Sequence, residues 1–281
     1  MDLHFVDIGI NLAHDSFDAD RPAVVARACE AGVTRMVVTG STLASSRRAL
    51  ELAAAWPGVL WATAGVHPHH ATELLPADRP ELVDLLADPG CVAAGECGLD
   101  YFRNYSPHDA QERAFRLQIE VAIEARKPLF LHQRDAHDDF VRILSDYGRD
   151  LPPAVAHCFT GTADEVAVYL AMGLHVGITG WICDERRGRH LVELVGAIPA
   201  ERLMIETDGP YLLPRDLRPK PASRRNEPAF LPHVAAAVAR ARGEPIERLA
   251  AATSAAAERF FGLAPARAAT VDTRGKSLVT C

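Results

Sequence analysis

No run of about 18 apolar residues, the length a membrane-crossing helix needs, occurs in this chain. Met1-Asp2-Leu3-His4-Phe5 lacks the basic-then-apolar pattern of an export signal. Membrane association and export are therefore not expected, and a cytoplasmic location is. The six cysteines, Cys29, Cys91, Cys97, Cys158, Cys183 and Cys281, form neither a CxxC pair nor a dense framework, and are expected as reduced thiols. Positive charge is also in deficit. A formal net charge of -7 excludes binding of nucleic acid through bulk charge, so any polyanion site must be local. No GxGxxG follows the first apolar run, which argues against a dinucleotide-binding sheet, and no Pro-, Gly- or Ser-rich linker divides the chain.

What remains is an ordinary globular composition, 281 residues at 48% hydrophobic and 24% charged, enough for a substantial core. Short apolar runs alternate with segments of helical periodicity. Eight strands are expected at residues 5–9, 35–40, 59–65, 92–96, 129–132, 154–157, 175–179 and 203–208. Helices are expected at 19–31, 43–55, 80–87, 107–125, 136–147, 163–172, 185–195, 231–242 and 246–261, with Ser41, Asp135 and Asp184 as caps at helix starts. Parallel strands need crossovers of a dozen or more residues, and eight such units in roughly 250 residues match a (β/α)8 TIM barrel. Residues 1–263 are expected to form this single α/β domain and 264–281 a mobile tail.

Catalytic groups in such barrels lie at the C-terminal strand ends. Four expected strands stop on metal-ligand types: Glu96, His132, His157 and Asp208. Each alone could be an isolated structural polar group; together they form a donor set of hard oxygens and imidazoles suited to Zn, Mn, Fe or Mg. An ion held there would activate water for hydrolysis. Cys97 and Cys158 directly follow Glu96 and His157, but neighbouring strand residues point to opposite faces, so both are read as packing residues.

The segments Ala64-Gly65-Val66-His67-Pro68-His69, Gly95-Glu96-Cys97-Gly98-Leu99-Asp100, His157-Cys158-Phe159-Thr160-Gly161 and Ile205-Glu206-Thr207-Asp208-Gly209-Pro210-Tyr211-Leu212 occur in an order that resembles the TatD family of metal-dependent deoxyribonucleases. The resemblance runs from Phe5 to Gly262. It implies a 3′ to 5′ exonuclease of the metal-dependent hydrolase type, acting on DNA with single strands favoured and RNA as a further substrate. It implies Glu96, His132 and His157 as metal ligands, with Asp208 binding metal or deprotonating the water. The implied ion is Mg2+, with Mn2+ and Zn2+ as alternatives. One departure stands out: many family members end strand 1 with Asp-x-His-x-His, whereas this chain has Asp7-Ile8-Gly9-Ile10-Asn11. One firm metal site is therefore expected, with a weaker second one at Asp208 and Asn11.

Between Arg215 and Arg225 lie five basic residues and one acid, after strand 8 and so over the expected barrel mouth. Arg224, Arg225 and Arg134 are candidate phosphate contacts, although such a run can also be a solvated face. Tyr101, Phe102, Phe159, Trp181 and Tyr211 are candidates for base stacking, and aromatics beside strand ends can equally be core. His67, after strand 3, is a candidate catalytic donor to phosphate or leaving group, with His69 beside it. No obligate protein partner is inferable. The competing readings are a barrel hydrolase acting on an amide, lactone or aminoacyl-tRNA ester, and a noncatalytic binding module.

Overall fold

A computed structural model describes residues 3–263 and residue 281. Eight strands, β1 (Phe5–Ile10), β2 (Val33–Val38), β3 (Leu60–Ala64), β4 (Cys91–Asp100), β5 (Leu129–Arg134), β6 (Ala154–Ala156), β7 (His175–Ile178) and β8 (Leu203–Ile205), pair in chain order, all parallel. The last gap closes through the residues just past β8: the Asp208 N–H donates to the Gly9 carbonyl and the Asn11 N–H to the Gly209 carbonyl, both at 2.8 Å. The expected (β/α)8 barrel is the observed architecture.

Helices wrap the barrel: α1 (Arg21–Glu30), α2 (Leu43–Ala55), α3 (Arg79–Ala87), α4 (His108–Ala125), α5 (His137–Ser145), α6 (Ala163–Ala171), α7 (Arg189–Leu194), α8 (Leu231–Arg242) and α9 (Ile246–Phe261). Three helix starts differ from expectation at the cap. Thr42, not Ser41, accepts from the Ser45 N–H at 3.0 Å, and Ala136 rather than Asp135 precedes α5. Asp184 caps a turn instead, accepting from the Arg186 and Arg187 N–H groups, and α7 begins only at Arg189.

The alternation of strand residues divides the core in two. Phe5, Leu129, Leu131, Ala154, Ala156, Leu203 and Ile205 face outward and pack under the helices. Val6, Ile8, Phe130, Val155 and Met204 face inward, where Ala256, Ala257 and Phe261 of α9 join them. This parity positions the site. Continuing two residues at a time from Phe130, Val155 and Met204 toward the C-terminal ends of their strands leads to His132, His157 and Glu206.

One cysteine expectation is corrected: Cys29 on α1 is disulfide-bonded to Cys281, while Cys91, Cys97, Cys158 and Cys183 are free. The pairing joins residues 252 apart in sequence, which no local spacing announces. The expected tail, Cys281 apart, lies outside the described residues.

Candidate active site

Glu96 sits at the centre of the barrel mouth. Its Oε1 lies 2.8 Å from His157 Nε2, 3.1 Å from His132 Nδ1 and 3.3 Å from His67 Nε2. Burial works against the Glu96 charge, but His157, His67 and the imidazole hydrogen bonds outweigh it and hold the carboxyl well below its usual range. β4 can deliver Glu96 here because glycines flank it. Gly95 and Gly98 have φ of +139° and +140°, and a Cβ on either would overlap the carbonyl oxygen of Phe130 or His132. The strand thus runs on to Asp100, well past the expected end at Glu96.

The three imidazoles are not equivalent. His132 has Nε2 at 3.3 Å from Asp100 Oδ2, and His157 has Nδ1 at 3.2 Å from Glu206 Oε2. In each, a carboxylate engages one ring nitrogen and leaves the other aimed at Glu96, the arrangement that orients a histidine as a metal ligand. For His157, burial disfavours the charged ring, but Glu96 and Glu206 together raise its pKa well above the ordinary value. His67 differs: its Nδ1 accepts the His69 N–H at 3.1 Å, so in the neutral ring the proton sits on Nε2, facing Glu96. Burial lowers its pKa to about 4. His67 nevertheless shares one cluster with Glu96 and His132, a ligand atom of each within 4.8 Å of the others, so the geometry offers it as a ligand as well as a donor.

Two carboxylates escaped the sequence reading. Asp100 accepts from both His69, at 2.8 Å, and His132. Glu206, fully buried, engages His157 and accepts the Cys158 N–H at 2.5 Å. A Cβ at Gly9 or Gly177 would run into the Glu206 carboxylate. Gly9, where a histidine was missed in the strand 1 motif, thus clears the space that Glu206 fills. The signal was present in the sequence, since Met204, Glu206 and Asp208 share one parity.

Asp208 stands at the mouth with φ +54°, its Oδ1 accepting from Asn11 Nδ2 at 2.9 Å. Burial pushes its carboxyl up to about 7. Below it, buried Asp7 accepts from the Thr207 N–H and hydroxyl, and burial pushes that carboxyl to about 7 as well. Cys97 is buried, and burial raises the Cys97 and Cys158 thiols, so neither is a thiolate nucleophile.

The candidate substrate contacts separate clearly. Arg134 lies over the Phe102 ring at 4.3 Å and reaches Trp181 at 5.9 Å; Phe102 and Tyr211 are about half exposed. Arg224 is exposed. Phe159, by contrast, is buried against Tyr169 and offers no face for stacking. Arg225 is committed to the fold: it binds both Asp20 carboxylate oxygens, at 2.8 and 2.7 Å, and Glu227 at 2.8 Å.

The donor chemistry at the mouth fits a divalent cation: His67, Glu96 and His132 each bring a ligand atom within 4.8 Å of the others, and His157 Nε2 adds a further nitrogen beside Glu96, with Asp100 and Glu206 behind the rings. A second group, Cys183, Asp216 and His233, likewise brings one ligand atom of each within 4.8 Å of the others. The expected weaker site at Asp208 with Asn11 is not one of these two groups.

A parallel barrel with such a donor set at the C-terminal strand ends defines a metal-dependent hydrolase. The family model described as TatD related DNase matches residues 6–262, and the chain belongs to that family. It is 54% identical over 258 residues to the 3′-5′ ssDNA/RNA exonuclease TatD of Pantoea vagans, covering 92% of this chain and 99% of that protein. The protein of the same name from Shigella flexneri is 51% identical over 258 residues, with the same coverage. Among solved structures, the TatD homolog YJJV of Escherichia coli superposes with a TM-score of 0.85 at 26% identity, covering 94% of this chain and all of that one.

Proposed function

We propose that this protein is a metal-dependent 3′ to 5′ exonuclease of single-stranded DNA that also accepts RNA, acting in the cytoplasm. The observation that carries the reading is the convergence of His132 and His157, each held by its own carboxylate, on Glu96. Glu96, His132 and His157 would hold the ion, with Asp208 as a further ligand. A divalent ion in this donor set supplies Lewis acidity, polarising a phosphoryl oxygen and making water acidic enough to attack near neutral pH.

The chain's own groups do the rest. Asp208, fixed by Asn11, orients the attacking water and accepts its proton. His67 donates a hydrogen bond from Nε2 to the phosphate or the leaving 3′ oxygen, and Asp100 holds His69 and His132 in place. Arg134 and exposed Arg224 meet the backbone, while Phe102, Trp181 and Tyr211 offer ring faces to unstacked bases. Base stacking requires unpaired nucleotides, in keeping with a preference for single strands. The domain assignment, residues 1–263 as the barrel with a separate tail, accompanies this reading. Glu96→Ala, His132→Ala, His157→Ala and Asp208→Ala should each reduce turnover of end-labelled single-stranded DNA at least about a hundredfold with circular dichroism unchanged. Full activity in any two of them overturns the assignment.

A further inference from the structure

Away from Glu96, the loops after β7 and β8 bring together a thiol, a carboxylate and an imidazole. Cys183 ends the 3-10 turn Gly180–Cys183, Asp216 lies in the long segment between β8 and α8, and His233 is on the first turn of α8. One ligand atom from each lies within 4.8 Å of the others, and His233 Nε2 is 2.7 Å from Asp216 Oδ1. Cys183 is buried and takes no part in a disulfide.

We propose that Cys183, Asp216 and His233 form a second metal site, selective for a thiophilic divalent cation such as Zn2+. Thiolate, carboxylate and neutral imidazole together carry two negative charges, matching a divalent ion, and three protein ligands leave a fourth tetrahedral position for water. Zn–ligand bonds of about 2.0–2.3 Å place donor atoms about 3.5 Å apart, so the three side chains need shift by only about 1 Å. Mg2+ is excluded here because it disfavours sulfur. Binding releases the Cys183 thiol proton to solvent.

The site would brace the segment that carries the basic residues. Arg215, next to Asp216, already reaches across to the Cys183 side, with Asp184 at 3.8 Å and Glu185 at 3.6 Å. A metal tying Asp216 to Cys183 and His233 fixes the start of that basic segment over the mouth.

Cobalt serves as the probe, because thiolate ligation of Co2+ gives an intense near-ultraviolet charge-transfer band. The full chain, stripped with chelator and handled without oxygen or reductant so that the Cys29–Cys281 disulfide stays closed, is titrated with Co2+. The band is expected in the unmodified protein, in Cys158→Ser and in His157→Ala, whose mouth site is disabled. It is expected to vanish in Cys183→Ser. His233→Ala, at a partly exposed ring, should need at least tenfold more Co2+ and covers the case in which Cys183→Ser fails to fold. In the His157→Ala background Zn2+ should raise Tm, and adding His233→Ala should abolish that rise. No band in the unmodified protein, a band surviving in folded Cys183→Ser, or unchanged Co2+ affinity in His233→Ala overturns the proposal.

Discussion

Glu206 illustrates how a single residue can be hidden by a motif. In Glu206-Thr207-Asp208 the eye goes to the aspartate at the end of the strand, yet the inward parity that places Met204 in the barrel also aims Glu206 at His157. Its cost is burial of a carboxylate, offset by the His157 ring and the Cys158 N–H. Glu206→Gln keeps the shape but weakens the pull on the His157 proton. Metal affinity at the mouth, read by calorimetry, should fall about 10–100-fold, with the fold retained. Unchanged affinity would make Glu206 a packing residue only. His67 carries the opposite lesson, since the sequence offered it only as a donor, whereas its Nε2 stands in one potential ligand cluster with Glu96 and His132.

At the scale of elements, strand existence was readable because parallel strands buried on both faces are apolar runs. Their ends were less so. β4 was expected to stop at Glu96, whereas Gly95 and Gly98 permit close approach to β5 and the strand runs on to Asp100, which was lost with the missing part of the strand. Phe159 looked like a loop aromatic, but the backbone turns it under α6 against Tyr169. β7 offers a test remote from the mouth. His175 opens that strand with a buried Nδ1 that has no partner, and burial, then Arg202 and Arg259, lowers its pKa from 6.5 to about 4. Because the folded pKa lies below the unfolded one, the unfolded chain binds more protons between them. This contribution to stability is complete above pH 6.5 and is lost as pH falls toward 4. Urea midpoints measured across that window should drop less for His175→Asn than for the unmodified protein; parallel curves would contradict the assignment.

For the whole molecule, a net charge of -7 leaves polyanion contacts to local groups, and the basic segment after β8 proved divided in purpose. Arg225 belongs to a network with Asp20, Arg27 and Glu227 that ties the β8 loop to α1, and its hydrogen bond holds the Asp20 carboxyl down to about 2. Arg225→Ala should therefore lower stability by about 1–2 kcal/mol in denaturant titrations. Arg224→Ala should leave stability unchanged and reduce the slope of log affinity for single-stranded DNA against log salt by about 0.7. Reversed outcomes would exchange the two roles. No helix among the described residues is long and apolar enough to cross a membrane. The Cys29–Cys281 disulfide, spanning nearly the whole chain, was invisible to local spacing. Glu96 is the centre of the proposed metal-dependent exonuclease site. The most direct measurement follows single-stranded DNA labelled at its 5′ end, with Mg2+ and after chelation, for the unmodified protein and Glu96→Ala. Stepwise shortening from the 3′ end with release of mononucleotides, stopped by chelation and absent in folded Glu96→Ala, is the predicted result. Hydrolysis that survives chelation, or persists undiminished in Glu96→Ala, would contradict it.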